Sequence, residues 1–322
     1  MHPKPTHHAS HHGHDHDEEH TAHGLHGSHS HRLGAAFWII GAFTCVEAVG
    51  GWWSGSLTLL ADAGHLFVDT LALGLAYAAQ RLALRPASSH RTFGHGRAGV
   101  LAAFVNSLVL LGIVAAIIIE AVLRLGDPHP IHAGIALAVA GTGVLVNLAM
   151  AFLLHADHGD MNVRAAYLHV LSDLLGAAAA AAAALIVMQT GWLAADAWLS
   201  LFVTVLIARS AWPLLVHSAH VLQEGAPAGF DVDHLATRLL TAVPGVLNIH
   251  HVHAWSLTPT EPLLTLHAQL SADANTGRVL AEMKSILVKE FSIHHSTIQI
   301  ETEECADGPH QCNQAAVSLE SL

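Results

Sequence analysis

The run Ser54-Gly55-Ser56-Leu57-Thr58-Leu59-Leu60-Ala61-Asp62-Ala63-Gly64-His65-Leu66-Phe67-Val68-Asp69 decides how this chain is read. A Ser-Gly-Ser break opens a long apolar segment, yet three ionisable side chains, Asp62, His65 and Asp69, stand inside it. A carboxylate at the centre of a bilayer costs about 2.5 to 3.5 kcal/mol even on a lenient insertion scale, so such residues are functional candidates by default. His65 and Asp69 are four positions apart. On a helix they share a face about 6 Å apart along the axis, and they aim an imidazole and a carboxylate at one point.

The spacing recurs in His169-Val170-Leu171-Ser172-Asp173, inside another apolar segment. If the two segments are neighbours, two nitrogens and two oxygens make a tetrahedral set that suits zinc. The bland alternative is that each His bonds its own Asp and fixes helix packing, but burying two such pairs has no evident return in stability. Asp62, seven residues before Asp69, lies on the same side; an outer-shell partner and a pathway residue are both open readings. Glu47, in the second half of the preceding apolar segment, reads as a solvated residue near the outer interface rather than a ligand.

Composition agrees with a membrane protein. Of 322 residues, 52% are hydrophobic and 12% charged, and the mean hydropathy is +0.44. Hydropathy divides the chain into a polar tail (1–32), an apolar region (33–216), a mixed region (217–303) and a flexible end (304–322). The apolar region holds six spans near 33–54, 57–83, 98–123, 131–155, 163–188 and 193–216, each long enough to cross about 30 Å of hydrocarbon. Arg81, Arg85, Arg91 and Arg97 follow span two, Arg164 lies at the junction of spans four and five and Arg32 precedes span one, whereas the other side offers Arg124. The positive-inside rule then puts both termini in the cytoplasm, and the plasma membrane is the expected location. The run Ala177 to Ala184 reads as a surface for close helix approach.

The formal charge of -12 argues against a nucleic-acid partner. Cys45, Cys305 and Cys312 are too few for a disulfide framework, and no secretory signal pattern precedes Leu33. The tail carries His7, His8, His11, His12, His14, His16 and more of the 30 histidines; it is too polar to bury a core and is expected to be disordered. A metal collector, a regulatory arm and a tolerated low-complexity tail are its three readings, the first favoured.

Beyond span six the pattern is that of a small soluble domain. Asp231 can cap an amphipathic helix carrying Leu235, Leu239, Leu240 and Val243, which stops at Pro244-Gly245. Strands are expected at 246–257, 263–270 and 296–301, with a helix over 276–291 before the last. The order helix, strand, strand, helix, strand is compatible with a ferredoxin-like α+β domain. Strand alternation puts His251 and His253 on one face and His250 on the other.

These residues carry a resemblance. The 54–69 run is similar to the second-span signature of the cation diffusion facilitator family, in its zinc-transporting branch. Arg91-Thr92-Phe93-Gly94, Arg97, Asn106, His169 to Asp173, Glu224-Gly225-Ala226-Pro227 and His253 to Thr258 match as well, so the likeness covers about 33–302. Gly99 stands where the family often has Glu, and His251 where it often has Asp. The resemblance implies a homodimeric, proton-coupled exporter of divalent metal. It has six membrane helices and a cytoplasmic ferredoxin-like domain, and no enzymatic role. It maps the transport site onto His65, Asp69, His169 and Asp173, and a cytoplasmic metal site onto His250, His267, His294 and Glu301, with Cys312 as a further ligand from the tail. Zn2+ is then the expected cargo and a regulatory ion, with cobalt, cadmium or nickel export, or a membrane sensor or buffer, as the alternatives. An intramembrane metalloprotease is disfavoured because the sequence has no His-Glu-x-x-His run.

Overall fold

The computed structural model describes residues 41–155, 161–303 and 317–318. Helix α1 is described over 41–54. It is followed by α2 (Leu57–Ala83), α3 (Arg97–Gly126), α4 (Ala133–His155), α5 (Met161–Thr190) and α6 (Ala194–Leu222). Five of these, α2 to α6, are long and apolar enough among the described residues to cross a membrane, and the expected start of span one at 33–40 lies outside those residues. Three boundaries have a local cause. Ser56 accepts from the Leu59 amide to cap α2. Asp127-Pro128 ends α3, and Gly191, at φ 70°, ends α5.

Helix α6 departs from the sequence expectation. Hydropathy falls near 216, but the helix passes Pro213 and runs to Leu222. At 1.5 Å per residue it is roughly 43 Å long, more than a bilayer core needs, so its end stands clear of the hydrocarbon.

Helix α2 packs against α3, α5 and α6, while α4 lies along α5. Val68, Leu110, Val114, Val203 and Ile207 form one apolar cluster among α2, α3 and α6. Leu59, Ala140 and Ala180 join α2 to α4 and α5. Along the alanine run, Ala177, Ala180, Ala183 and Ala184 are buried, the close approach that small side chains permit.

The mixed region folds as α7 (Val232–Ala242), β1 (Val246–Thr258), β2 (Glu261–Leu270), α8 (Thr276–Phe291) and β3 (His295–Glu301), with a short β4 (Val317–Ser318). Asp231 caps α7 by accepting from the Asp233 and His234 amides. The sheet order is β3-β2-β1-β4. Strand β1 is antiparallel to β2 and to β4, while β3 is parallel to β2. This is a ferredoxin-like order without the first strand, so that β3 closes directly on β2. Leu235, Leu239, Ile249, Leu264, Leu266, Met283 and Leu287 fill the core between sheet and helices; each contributes about 1.5 to 3 kcal/mol on burial.

The two regions meet where the α2–α3 connection faces β1 and the end of α6. Arg97 lies 3.4 Å from Glu224, and the Phe93 and His295 rings are 5.8 Å apart.

Candidate metal centre

The two His-x-x-x-Asp pairs meet. Helices α2 and α5 are in contact, and their four side chains form a closed ring of donor atoms. His65 Nε2 is 3.6 Å from Asp69 Oδ2 and 3.7 Å from Asp173 Oδ1. His169 Nε2 is 3.4 Å from Asp69 Oδ2 and 3.7 Å from Asp173 Oδ2. The two rings stand edge to face, 6.2 Å apart. Ligands about 2.0 to 2.1 Å from a tetrahedral zinc are separated from one another by about 3.3 Å, so the four His-to-Asp distances are near that spacing, while His65, Asp69 and Asp173 are the three whose donor atoms all lie within 4.8 Å of one another. Asp69 Oδ2 and Asp173 Oδ1 are buried acceptors without a hydrogen bond among the described residues. That state is unfavourable for a carboxylate unless a cation is shared there.

Exposure around the ring is uneven. Side-chain exposure falls from 51% at His169 and 24% at Asp69 to 13% at His65 and 8% at Asp173. Because α2 and α5 are antiparallel neighbours, that order runs from the side bearing the α+β domain toward the far side.

Two acidic residues lie beyond the ring. Asp62 is 2% exposed and seated against Gly176 of α5, where any Cβ would collide with its carboxylate. Glu47 is the larger correction to the sequence reading: far from being solvated, it is 0% exposed. A Cβ at Gly143 of α4 would come within 2.9 Å of its Oε1. Span one is apolar on nearly every side, so its pattern could not show that Glu47 faces inward.

Asp196, in the first turn of α6, was not singled out by the sequence. It accepts from Ser56 Oγ at 2.7 Å, the Leu57 amide at 2.6 Å and the Thr58 amide at 3.2 Å. It therefore caps α2 from a different helix, opposite the positive end of the helix dipole. An acidic residue opening an apolar span was the available signal.

A second constellation sits in the sheet. Register puts His250 of β1 opposite His267 of β2, and Gln269 beside Glu301 of β3. Glu301 then reaches both imidazoles, at 3.2 Å from His250 Nε2 and 3.0 Å from His267 Nδ1. All three are buried. Burial pushes the His250 imidazole below its ordinary 6.5, against the upward pull of Glu301 and with His267 and His251 adding to the drop. A neutral ring is the form that binds metal.

Regular alternation does not hold here. A register irregularity separates His250 from His253, and His251 adopts φ 53°. The bulge turns the His251 ring to within 4.7 Å of the His267 ring, on the side that alternation denies it. His294 is not brought to this triad. It precedes β3 while Glu301 ends it, and seven residues of strand separate them by about 23 Å. Cys312 lies outside the described residues.

The cation efflux transmembrane domain family matches residues 33–223, and the cation efflux protein cytoplasmic domain matches 229–303. Zinc transporter ZitB of Escherichia coli is 42% identical over 296 residues, 91% of this chain and 93% of that protein. Metal cation efflux system protein CzcD of Cupriavidus metallidurans is 38% identical over 316 residues, 96% of this chain and 98% of its own length. A cadmium, cobalt and zinc/H(+)-K(+) antiporter of Bacillus velezensis is 36% identical over 286 residues, 86% and 90% of the two chains. With both regions matched in order, and an inward-facing ring of His and Asp on the second and fifth helices, this multi-pass membrane protein belongs to the cation efflux family, the cation diffusion facilitators.

Proposed function

We propose that this chain exports divalent metal, chiefly Zn2+, across a bacterial inner membrane in exchange for protons, with His65, Asp69, His169 and Asp173 as the ligands of the transported ion. The observation that carries the reading is the convergence of the two His-Asp pairs, with four His-to-Asp distances of 3.4 to 3.7 Å, a spacing near that of zinc ligands. The named transport of zinc by similar proteins, and of zinc with protons by one of them, supports cargo and exchange partner alike.

The chemistry follows from competition. Zinc binds neutral imidazole and ionised carboxylate, so metal and protons contend for the same atoms. With the domain side cytoplasmic, as the arginine distribution indicates, the ring takes metal while open to the cytoplasm. Opened to a more acidic exterior, it takes protons and releases the ion. Rocking of helices about a fixed site completes the cycle.

The buried His250–His267–Glu301 triad favours a second role for the metal, as a regulatory ion in the soluble domain. Three protein ligands leave a fourth position to be filled, for which Cys312 is the candidate; His294 stands too far along β3 within one chain. The family of the soluble domain supports a homodimer.

Purified protein in liposomes tests the main reading. Zinc uptake should exceed that of cobalt, cadmium and nickel and should rise with an opposing proton gradient. Equal uptake of all ions, or no response to the gradient, would refute the zinc or the exchange assignment respectively.

A further inference from the structure

The metal ring accounts for four ionisable groups in the membrane, but Glu47 and Asp62 remain. Glu47 is fully enclosed, and neither of its carboxyl oxygens has a hydrogen-bond partner among the described residues. A buried charge so placed would cost several kcal/mol, with no pairing to offset it. The surroundings are nonetheless shaped to admit it. Gly143 of α4 leaves the space its Oε1 uses, and Gly176 of α5 does the same for Asp62.

Depth separates the ring from these two groups, which share one level. Glu47 stands seven residues from Ser54 and Asp62 five from Leu57, so both lie roughly 8 to 10 Å inside the α1–α2 turn. The ring is deeper, with His65 and Asp69 about 5 to 10 Å beyond Asp62 along α2. On α5, Asp173, Gly176 and Ala177 fall on one face at helical spacing. That face meets the ring first, then Asp62 at Gly176, then Glu47, since a Cβ added at Gly143 would meet both Glu47 Oε1 and the Ala177 Cβ, the latter at 3.4 Å. The ionisable groups acting on Glu47 are Asp62 from α2 and Asp173 from α5. The described side chains of α4, 133–152, include none. Between Asp62 and His65 lies a cavity of about 130 Å³, bordered also by Ser172 and Ser210. It has room for about four waters at about 30 Å³ each.

We propose that Glu47 and Asp62 form the route by which protons from the far side reach the metal ring, a route made of groups that do not ligate the metal. When the far side opens, a hydronium ion from the acidic exterior gives up a proton to the Glu47 carboxylate, its O–H breaking as the carboxyl O–H forms and water remaining. That proton leaves Glu47 for Asp62 and passes, through waters in the cavity that Ser172 and Ser210 border, to the imidazole nitrogen that the departing metal frees. No other atom changes hands. In the arrangement described, with the far side closed, Glu47 is sealed from solvent, as a one-way antechamber requires.

The inference rests on proton exchange as proposed above, and the experiment separates the two. Liposomes holding the wild type, Glu47→Gln and Glu47→Asp are compared in three measurements. These are zinc affinity of the ring, zinc-for-zinc isotope exchange at equal pH, and net zinc flux under a proton gradient with internal pH recorded. Gln matches Glu in size but cannot relay a proton. The expected result for Glu47→Gln is ring affinity within about 2-fold of wild type, isotope exchange retained, and gradient-driven zinc and proton fluxes reduced at least 10-fold. Glu47→Asp should regain much of the driven flux. Driven flux near wild type in Glu47→Gln overturns the proposal. So does parallel loss of affinity and isotope exchange, which marks a structural role. A wild type without gradient-driven flux would instead refute the exchange reading itself.

Discussion

The membrane ring and the soluble triad use the same donors on opposite kinds of scaffold. In the membrane, two helices supply one His-Asp pair each, the edges are 3.4 to 3.7 Å, and exposure is graded from one side. In the sheet, three hydrogen-bonded strands supply two His and one Glu at 3.0 to 3.2 Å, all buried. Helices packed through small side chains can slide or tilt as units, whereas a strand ladder cannot shift by less than a residue without breaking its bonds. The same chemistry therefore yields a site able to open and a site able to hold.

The largest effect that would sharpen this contrast is on the ring. Asp173→Ala should lower zinc export by at least about 100-fold, with normal insertion in the membrane; undiminished export in everted vesicles would break the assignment. Next comes donor type. His65→Asp exchanges a nitrogen for an oxygen and should cut the preference for zinc over cobalt or manganese about 10-fold in competition assays. In the sheet, His267→Ala should weaken zinc binding at the proposed triad about 10-fold, as read by calorimetry. The zinc concentration for half-maximal export should move with it, while the maximal rate stays. Equal loss of maximal rate would erase the distinction between the two sites.

Acidity should act on the metal-free sheet as well. His250 is held below 6.5 when folded, so the unfolded chain takes up its proton first. Its contribution to stability is complete above about pH 6.5 and is lost as pH falls through the lower folded value. Thermal melting of the soluble domain should show that decline, and His250→Gln should flatten it. The smallest effect concerns the His-rich tail. Its removal should change apparent zinc affinity about 2-fold and the maximal rate less, and an unchanged zinc dependence would count against a collecting role.

How much of this was legible follows from what fixes each feature. The i, i+4 spacing of His65 with Asp69 and His169 with Asp173 converts directly into geometry, so the ring could be drawn from the sequence once two spans were taken as neighbours. Strand and helix boundaries in the soluble domain were equally plain, because caps such as Asp231 and the Pro244-Gly245 stop are local. Glu47 was not, since its direction depends on where α4 and α5 pack rather than on its own span. His251 was misplaced because a bulge changes the count of residues per face. His294 was grouped with Glu301 by resemblance alone, and only the length of β3 separates them. The parallel closure of β3 on β2 is likewise a tertiary outcome with no signature in either strand.

The Asp196 contact sets a limit on how the helices can rock. Parting α2 from α6 at the far side would strand a buried carboxylate together with three donors, at a cost of about 3 to 5 kcal/mol. Arg124 of α3 adds a bond to the Gly55 carbonyl in the same turn. A gap on that side is cheaper where the link is a neutral backbone bond, such as that from the His132 amide to the Ser54 carbonyl at 2.8 Å, so α2, α3 and α6 would travel as one leaf of a door whose opposite leaf is α4 with α5. The seam between the leaves then runs through the ring itself, so the swing that admits outside water also pulls the two halves of the ligand set apart.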